Sequence, residues 1–237
     1  MEIARKHSLL VIEDCAESHG ATCRGRMTGS FGDMACFSFY ANKVITTGEG
    51  GMVTTNNKDL AERLRLLRNL AFTKPRFRHE EAGFNFRMTG YQAAMGLVQF
   101  RKIEHIISEK RRVAQTYNGF LKDIGGLQLP HEADWARNVY WMYAVVVDPK
   151  FGITRDKLMD RLRNEGIDTR TFFCPMNQQP CLQERPGFSA VPCPVADNLW
   201  ENGLYLPSTY TLSESVIKQI ADLVGEAFPF RKGAVSN

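Results

Sequence analysis

Three residues of this 237-residue chain are of the types that act together on one small molecule: Asp14, Ser38 and Lys43. Asp14 ends an apolar run, SLLVIED, that reads as a strand. Ser38 lies inside a second strand-like run, ACFSFY, and Lys43 follows it just before a glycine-rich turn, GEGG. Ligands of α/β sheets bind beyond the carboxyl ends of strands, and Asp14 and Lys43 both emerge from such ends. An aldehyde cofactor such as pyridoxal phosphate needs a lysine amine for a Schiff base, an anion for its pyridinium nitrogen and small donors for its phosphate. Lys43, Asp14 and Ser38 supply these in turn. The carboxylate would keep the ring nitrogen protonated, and the freed lysine is the natural base for a 1,3-proton shift. Taken singly each residue has a plainer use, since a strand-terminal Asp caps loops far more often than it serves a cofactor.

The elements that must position these residues follow from periodicity. A helix end over residues 2–7 leads into a strand over 8–14, and the continuous apolar run predicts burial on both faces. Residues 35–40 and 51–55 (GMVTT) are short strands forming a sheet edge or hairpin. In DLAERLRLLRNL, Leu60, Leu64 and Leu67 recur at helical spacing, which predicts an amphipathic surface helix over 59–70 with Arg63, Arg65 and Arg68 on its solvated face. Thr89 and Gln92 form a capping-box pattern opening a long helical stretch through Phe120, broken near 103–108. Beyond it the pattern is that of a small α+β domain: a strand over 139–147 (VYWMYAVVV), a helix over 154–164 stopped by Gly166, a strand over 168–173 and a helix over 213–227. Tyr140, Trp141 and Tyr143 read as core strand residues, and the tail RKGAVSN as frayed.

Composition narrows the class. With 43% hydrophobic and 24% charged residues the chain is an ordinary globular protein, and no apolar run approaches the roughly 20 residues that cross a bilayer. The expectation is a cytoplasmic protein without a membrane or nucleic-acid partner, because a net charge of +4 is too weak to imply the latter. Six cysteines, at 15, 23, 36, 174, 181 and 193, include no C-x-x-C pair, so neither a disulfide framework nor a zinc knuckle is indicated.

The segments VIEDCAESHGA, GSFGDMACFSFYANKVITTGEGGMVTTN and GFNFRMTGYQAAMG resemble successive motifs of the DegT/DnrJ/EryC1/StrS sugar aminotransferases, and the resemblance runs to about Leu223. It implies an α/β protein of the pyridoxal-phosphate-dependent transferase fold type I, like aspartate aminotransferase. Residues 1–102 would be the later part of a three-layer αβα cofactor-binding domain, and 103–237 a small α+β domain. It implies further that Lys43 carries the cofactor in Schiff-base linkage, that Asp14 pairs with the pyridine nitrogen, that Glu17 approaches the ring or its 3-hydroxyl, and that Ser38 binds the phosphate. Asn85 would reach the phosphate of a second subunit, making the active unit a homodimer with shared sites. Many relatives have Gln where Glu17 stands. For His19, contact with cofactor or substrate stands beside a plainer use, fixing its turn through backbone bonds.

The activity implied is transfer of an amino group from glutamate to the 4-keto group of a nucleotide-linked 6-deoxysugar, with GDP-4-keto-6-deoxymannose as the sugar. Candidate substrate contacts are Lys74, Arg76, Arg78 and His79, in the loop before GFNFRM, and Phe173, Pro175, Met176 and Asn177. Several sequences of this type carry His where Asn177 stands. Members of the family have a long N-terminal portion with the phosphate loop and the first strands of the sheet, so the opening here corresponds to a domain interior. Two alternatives therefore stay open: a remnant or subunit that only associates with a partner, and an aminotransferase for a UDP- or dTDP-linked keto sugar.

Overall fold

The computed structural model describes residues 1–228. In chain order its elements are α1 (Glu2–Lys6), β1 (Ile12–Asp14), β2 (Thr22–Cys23), β3 (Arg26–Met27), β4 (Met34–Ser38), β5 (Gly51–Thr54), α2 (Lys58–Arg68), α3 (Gly90–Phe100), α4 (Ile103–Leu121), β6 (Leu127–Gln128), β7 (Ala136–Arg137), β8 (Tyr143–Val147), α5 (Arg155–Asn164), β9 (Arg170–Thr171), α6 (Pro180–Gln183), α7 (Pro194–Asn202), β10 (Gly203–Leu206) and α8 (Glu214–Glu226). They divide into two compact units: Met1–Ser108 with Glu132–Trp141, and Glu109–His131 with the described residues from Met142 onward.

In the first unit β1, β4 and β5 form a sheet in that order, β1 parallel to β4 and β4 antiparallel to β5. Asp14 lies in register with Cys36, so β1 and β4 end side by side, at Asp14 and Ser38. A second small sheet runs β3, β2, β7. The doubly buried strand expected over 8–14 is corrected. Leu9 N–H bonds back to Ala4 O at 2.8 Å and Ser8 adopts a φ of 51°, so residues 8–10 close off α1 instead of joining the sheet. Only 12–14 form strand, at the sheet edge, and Leu10 and Ile12 are 77% and 60% exposed.

Local chemistry sets the helices. The Asn57 side chain accepts the N–H groups of Asp59 and Leu60 to start α2, whose Arg63, Arg65 and Arg68 are exposed as the pattern predicts. Arg63 pairs with Glu81. The capping box of Thr89 and Gln92 opens α3, and the helical stretch breaks at 101–102, just ahead of the expected position.

The second unit holds a four-stranded sheet in the order β6, β8, β10, β9. Tyr117, Tyr143, Leu158, Leu162, Leu204 and Ile217 are its fully buried core, and each such side chain stabilises by about 1.5–3 kcal/mol. The Tyr117 and Tyr143 rings stack at 4.6 Å, and their hydroxyls donate to Pro207 O at 2.9 Å and Asn118 Oδ1 at 2.6 Å. Burial that deep is tolerated because both polar ends are satisfied. Thr154 caps α5 and Ser213 caps α8.

Two strands are shorter than periodicity suggests. The run 139–147 becomes β8 only at Tyr143, because the Asn138 side chain accepts Tyr140 N–H at 2.8 Å and Tyr140 turns to a φ of 47°. Trp141 consequently belongs to a bend of the first unit and is not a strand residue. The strand expected over 168–173 shrinks to β9, where Pro175 soon ends any ladder for want of an N–H. The tail RKGAVSN lies outside the described residues. Among the described residues no helix is long and apolar enough to cross a membrane, and no group of His, Cys, Asp and Glu is arranged to hold a metal ion.

Candidate active site

The site is built on the carboxyl ends of β1 and β4 and on the connection 39–50. Asp14 leaves β1 exposed, and its Oδ1 accepts Ala16 N–H at 3.0 Å, which fixes the turn without consuming the second oxygen. Ser38 is half-buried at the last position of β4, its hydroxyl accepting Tyr40 N–H at 3.2 Å. Lys43 follows on the connection, with its side chain only 11% exposed and Nζ 3.2 Å from Glu17 Oε1. Thus the fold gathers Asp14, Glu17, Ser38 and Lys43 in one unit from strand ends and adjoining loops. A primary amine, a carboxylate and a hydroxyl at one sheet edge match the donor set that an aldehyde cofactor with a pyridine nitrogen and a phosphate requires.

Two residues that periodicity did not single out support this set. Trp141 lays its ring over Lys43, with Nζ 4.2 Å from the ring centroid, and its Nε1–H donates to Asn42 O at 2.8 Å. Its sequence neighbourhood, a run of apolar and aromatic residues, hides it among core positions. Glu13 accepts three backbone N–H groups, from Gly29 at 2.7 Å, Phe31 at 2.6 Å and Gly32 at 2.7 Å. Partial burial works against its charge, but those three bonds and the nearby Arg26 outweigh it and hold the carboxyl below its ordinary pKa. A carboxylate inside an otherwise apolar strand, followed by the GSFGD loop, is the signal that would have found it.

His19 is 4% exposed and packs against Phe37 and Phe39, with ring centroids 5.5 and 5.8 Å away. Among the described residues neither ring nitrogen has a hydrogen-bond partner, so the expected alternative of a histidine fixing its turn through backbone bonds is corrected. Burial pushes its pKa down, the Ser38 backbone works the other way, and the Lys43 charge adds to the lowering. A neutral imidazole follows. It lines a largely apolar cavity of about 640 Å³ together with Phe39, Met52, Leu97 and Phe100.

The remaining candidates have surroundings of their own. Asn85 is exposed in the first unit, its Oδ1 accepting Arg87 Nε–H at 3.1 Å. Lys74, Arg76, Arg78 and His79 line an exposed loop, with the Arg76 guanidinium over Phe77 at 4.9 Å and His79 Nδ1 2.8 Å from Leu70 O. Phe173, Pro175, Met176 and Asn177 belong to the second unit; Phe173 and Met176 are 70% and 67% exposed, and Asn177 Nδ2–H donates to Val191 O at 3.1 Å.

Comparison with known proteins shows the family. Residues 1–225 match the model of the DegT/DnrJ/EryC1/StrS aminotransferase family, and the chain belongs to that family. GDP-perosamine synthase of Caulobacter vibrioides is 41% identical over 222 residues, covering 93% of this chain and 59% of that protein. Among solved structures, a DegT DnrJ EryC1 StrS aminotransferase from Brucella abortus superposes with a TM-score of 0.85 at 28% identity, covering 96% of this chain and 59% of the other. DesI in the presence of its TDP-sugar product gives 0.85 at 32% identity, over 98% and 59%. The fold is therefore the α/β fold of type I transferases. The chain spans about 60% of the length of the relatives it matches.

Proposed function

We propose that this chain is the lysine-bearing part of a pyridoxal-phosphate-dependent sugar-nucleotide aminotransferase, moving an amino group from glutamate to the 4-keto group of GDP-4-keto-6-deoxymannose to give GDP-perosamine. The observation that carries the proposal is the Lys43 amine, held on the connection after β4 beside Glu17, in a chain of an aminotransferase family. Lys43 would hold the cofactor, Asp14 would face its ring nitrogen, Glu17 its ring or 3-hydroxyl and Ser38 its phosphate. When bound, pyridoxal phosphate supplies an electron sink for the electrons left as a proton departs from the carbon bearing the amine.

Lys43 serves as the base that takes and returns that proton, and a site this sheltered keeps water away from its amine. Exposed Asn85 would offer its amide to the phosphate site of a second copy, so the working unit is a homodimer. Residues 1–102 would make the cofactor domain, and 103–237 the small domain. Phe173, Met176 and Asn177 there, with Arg76 and Arg78, would meet the sugar nucleotide, guanidinium forks suiting phosphate oxygens. The 41% identity to GDP-perosamine synthase favours the GDP-linked sugar. A TDP-linked sugar is the second reading, favoured by the likeness to DesI with its TDP-sugar product.

Borohydride reduction of the purified chain with pyridoxal phosphate, followed by peptide mass mapping, tests the assignment. A dominant adduct on Lys43, absent from Lys43→Ala, supports it. Scattered labelling of surface lysines would mean a chain that only associates with a partner. Competing GDP- and TDP-linked 4-keto sugars in a coupled glutamate assay separates the two sugar readings.

A further inference from the structure

Lys43 lies on the connection 39–50, and a four-carbon side chain on a loop has rotamer freedom that must be removed before its amine can be presented in one place. Among the described residues two groups meet its Nζ. Glu17 is one, but its side chain is 46% exposed, and an ion pair with so open a partner exchanges readily with water. Trp141 is the other. It is 9% exposed, its ring centroid is 4.2 Å from Nζ, and its Nε1–H bonds to the carbonyl of Asn42, the peptide that leads into Lys43. The ring is thus tied to the same backbone whose side chain it covers.

We infer that Trp141 is a positioning residue for the Lys43 amine: its indole face stands against Nζ, which also meets the Glu17 carboxylate at 3.2 Å. This rests on the reading of Lys43 as the lysine that carries the cofactor. The ring supplies a flat wall beside Nζ that limits the places the amine can occupy, and the N–H bond fixes where that wall stands. The two contributions are separable, because phenylalanine keeps a ring face and loses the N–H, whereas leucine and methionine lose both.

The test measures the extent of borohydride-fixed pyridoxal phosphate on Lys43 relative to exposed Lys58 in the full chain and in Trp141→Phe, Trp141→Leu and Trp141→Met. Trp141→Met fills more of the space if the leucine variant does not fold. Lys43 labelling in Trp141→Phe is expected within about threefold of the parent, and about tenfold lower in the aliphatic variants, with Lys58 labelling unchanged. The induced circular dichroism of the fixed chromophore should follow the same order. Every one of these variants lacks the bond to Asn42, so a merely structural role would lower phenylalanine and aliphatic variants alike. That result, or equal Lys43 preference in every chain, overturns the inference while leaving Lys43 assigned. A parent without preference for Lys43 overturns the functional reading beneath it instead.

Discussion

Glu13 Oε1 accepts the backbone N–H of Gly32 at 2.7 Å, and through this contact β1 holds the loop that leads into β4. With the bonds to Gly29 and Phe31 it fixes the start of β4, and the parallel pair so aligned carries Asp14 and Ser38 at its far ends.

Replacing Glu13 by Gln keeps the shape but removes the charge that strengthens three hydrogen bonds, and a loss of about 2 kcal/mol is expected at neutral pH. The pH dependence has a definite sign. The folded carboxyl titrates below its unfolded value, so its contribution is fully present above the ordinary carboxylate range and is lost as pH falls through the folded pKa. The urea midpoints of parent and Glu13→Gln should therefore differ at neutral pH and converge in acid. Midpoints that stay equally separated down to about pH 3 would remove Glu13 from this role.

Lys110 is 8% exposed on α4, and its Nζ donates to Ser208 O at 2.7 Å. Burial pushes its pKa down to about 8. The unfolded chain then binds more protons than the folded one between about pH 8 and the ordinary lysine value, so stability should rise with pH across that window. About 2 kcal/mol is expected between pH 7.5 and 9.5. Tyr117, pushed up by burial, acts in the opposite sense at higher pH, so the measurement stays below that range. Urea unfolding of Lys110→Met should show the rise abolished; an unchanged slope would assign it elsewhere.

Gly166 follows the last turn of α5 with a φ of 76°, and the bonds Gly166 N–H to Arg163 O at 3.0 Å and Ile167 N–H to Leu162 O at 2.9 Å close a Schellman motif. A Cβ there meets nothing within 4 Å, so the cost of Gly166→Ala is backbone strain alone, about 1 kcal/mol. Gly166→Asn should lose less, since Asn tolerates the left-handed region. Equal urea midpoints for all three would mean that the helix end relaxes to another cap.

The capping box was legible in the sequence because it is local: Thr89 and Gln92 act within one turn of where they stand. The placement of Asp14 and Ser38 at strand ends, with Lys43 on the connection after them, was legible because apolar runs and a glycine-rich turn flank them. Trp141 was not. Its contact with Lys43 spans two distant stretches of chain, and its apolar neighbours carry the same period as a core strand. The apolar run at 8–14 misled in the opposite direction, because hydrophobicity reports a need for burial and not whether a paired strand exists to provide it; the described residues pair β1 along one edge.

Asp14→Asn separates holding the loop from holding charge. The amide oxygen of asparagine can still accept Ala16 N–H, as Asp14 Oδ1 does at 3.0 Å, so the turn should persist and stability change by less than about 0.5 kcal/mol. What is lost is the carboxylate that would keep a bound pyridine ring protonated, a charge-assisted bond of about 1.5–3 kcal/mol. Equilibrium binding of pyridoxal phosphate should weaken by about tenfold to a hundredfold. Conversion of glutamate to its keto acid should fall much further, because an unprotonated ring draws electrons weakly at the step where the proton leaves. Urea unfolding, cofactor titration and single-turnover rates on the same preparation read the three effects. An Asp14→Asn chain that binds and reacts like the parent would take Asp14 out of the site, and one that merely unfolds would make it a capping residue.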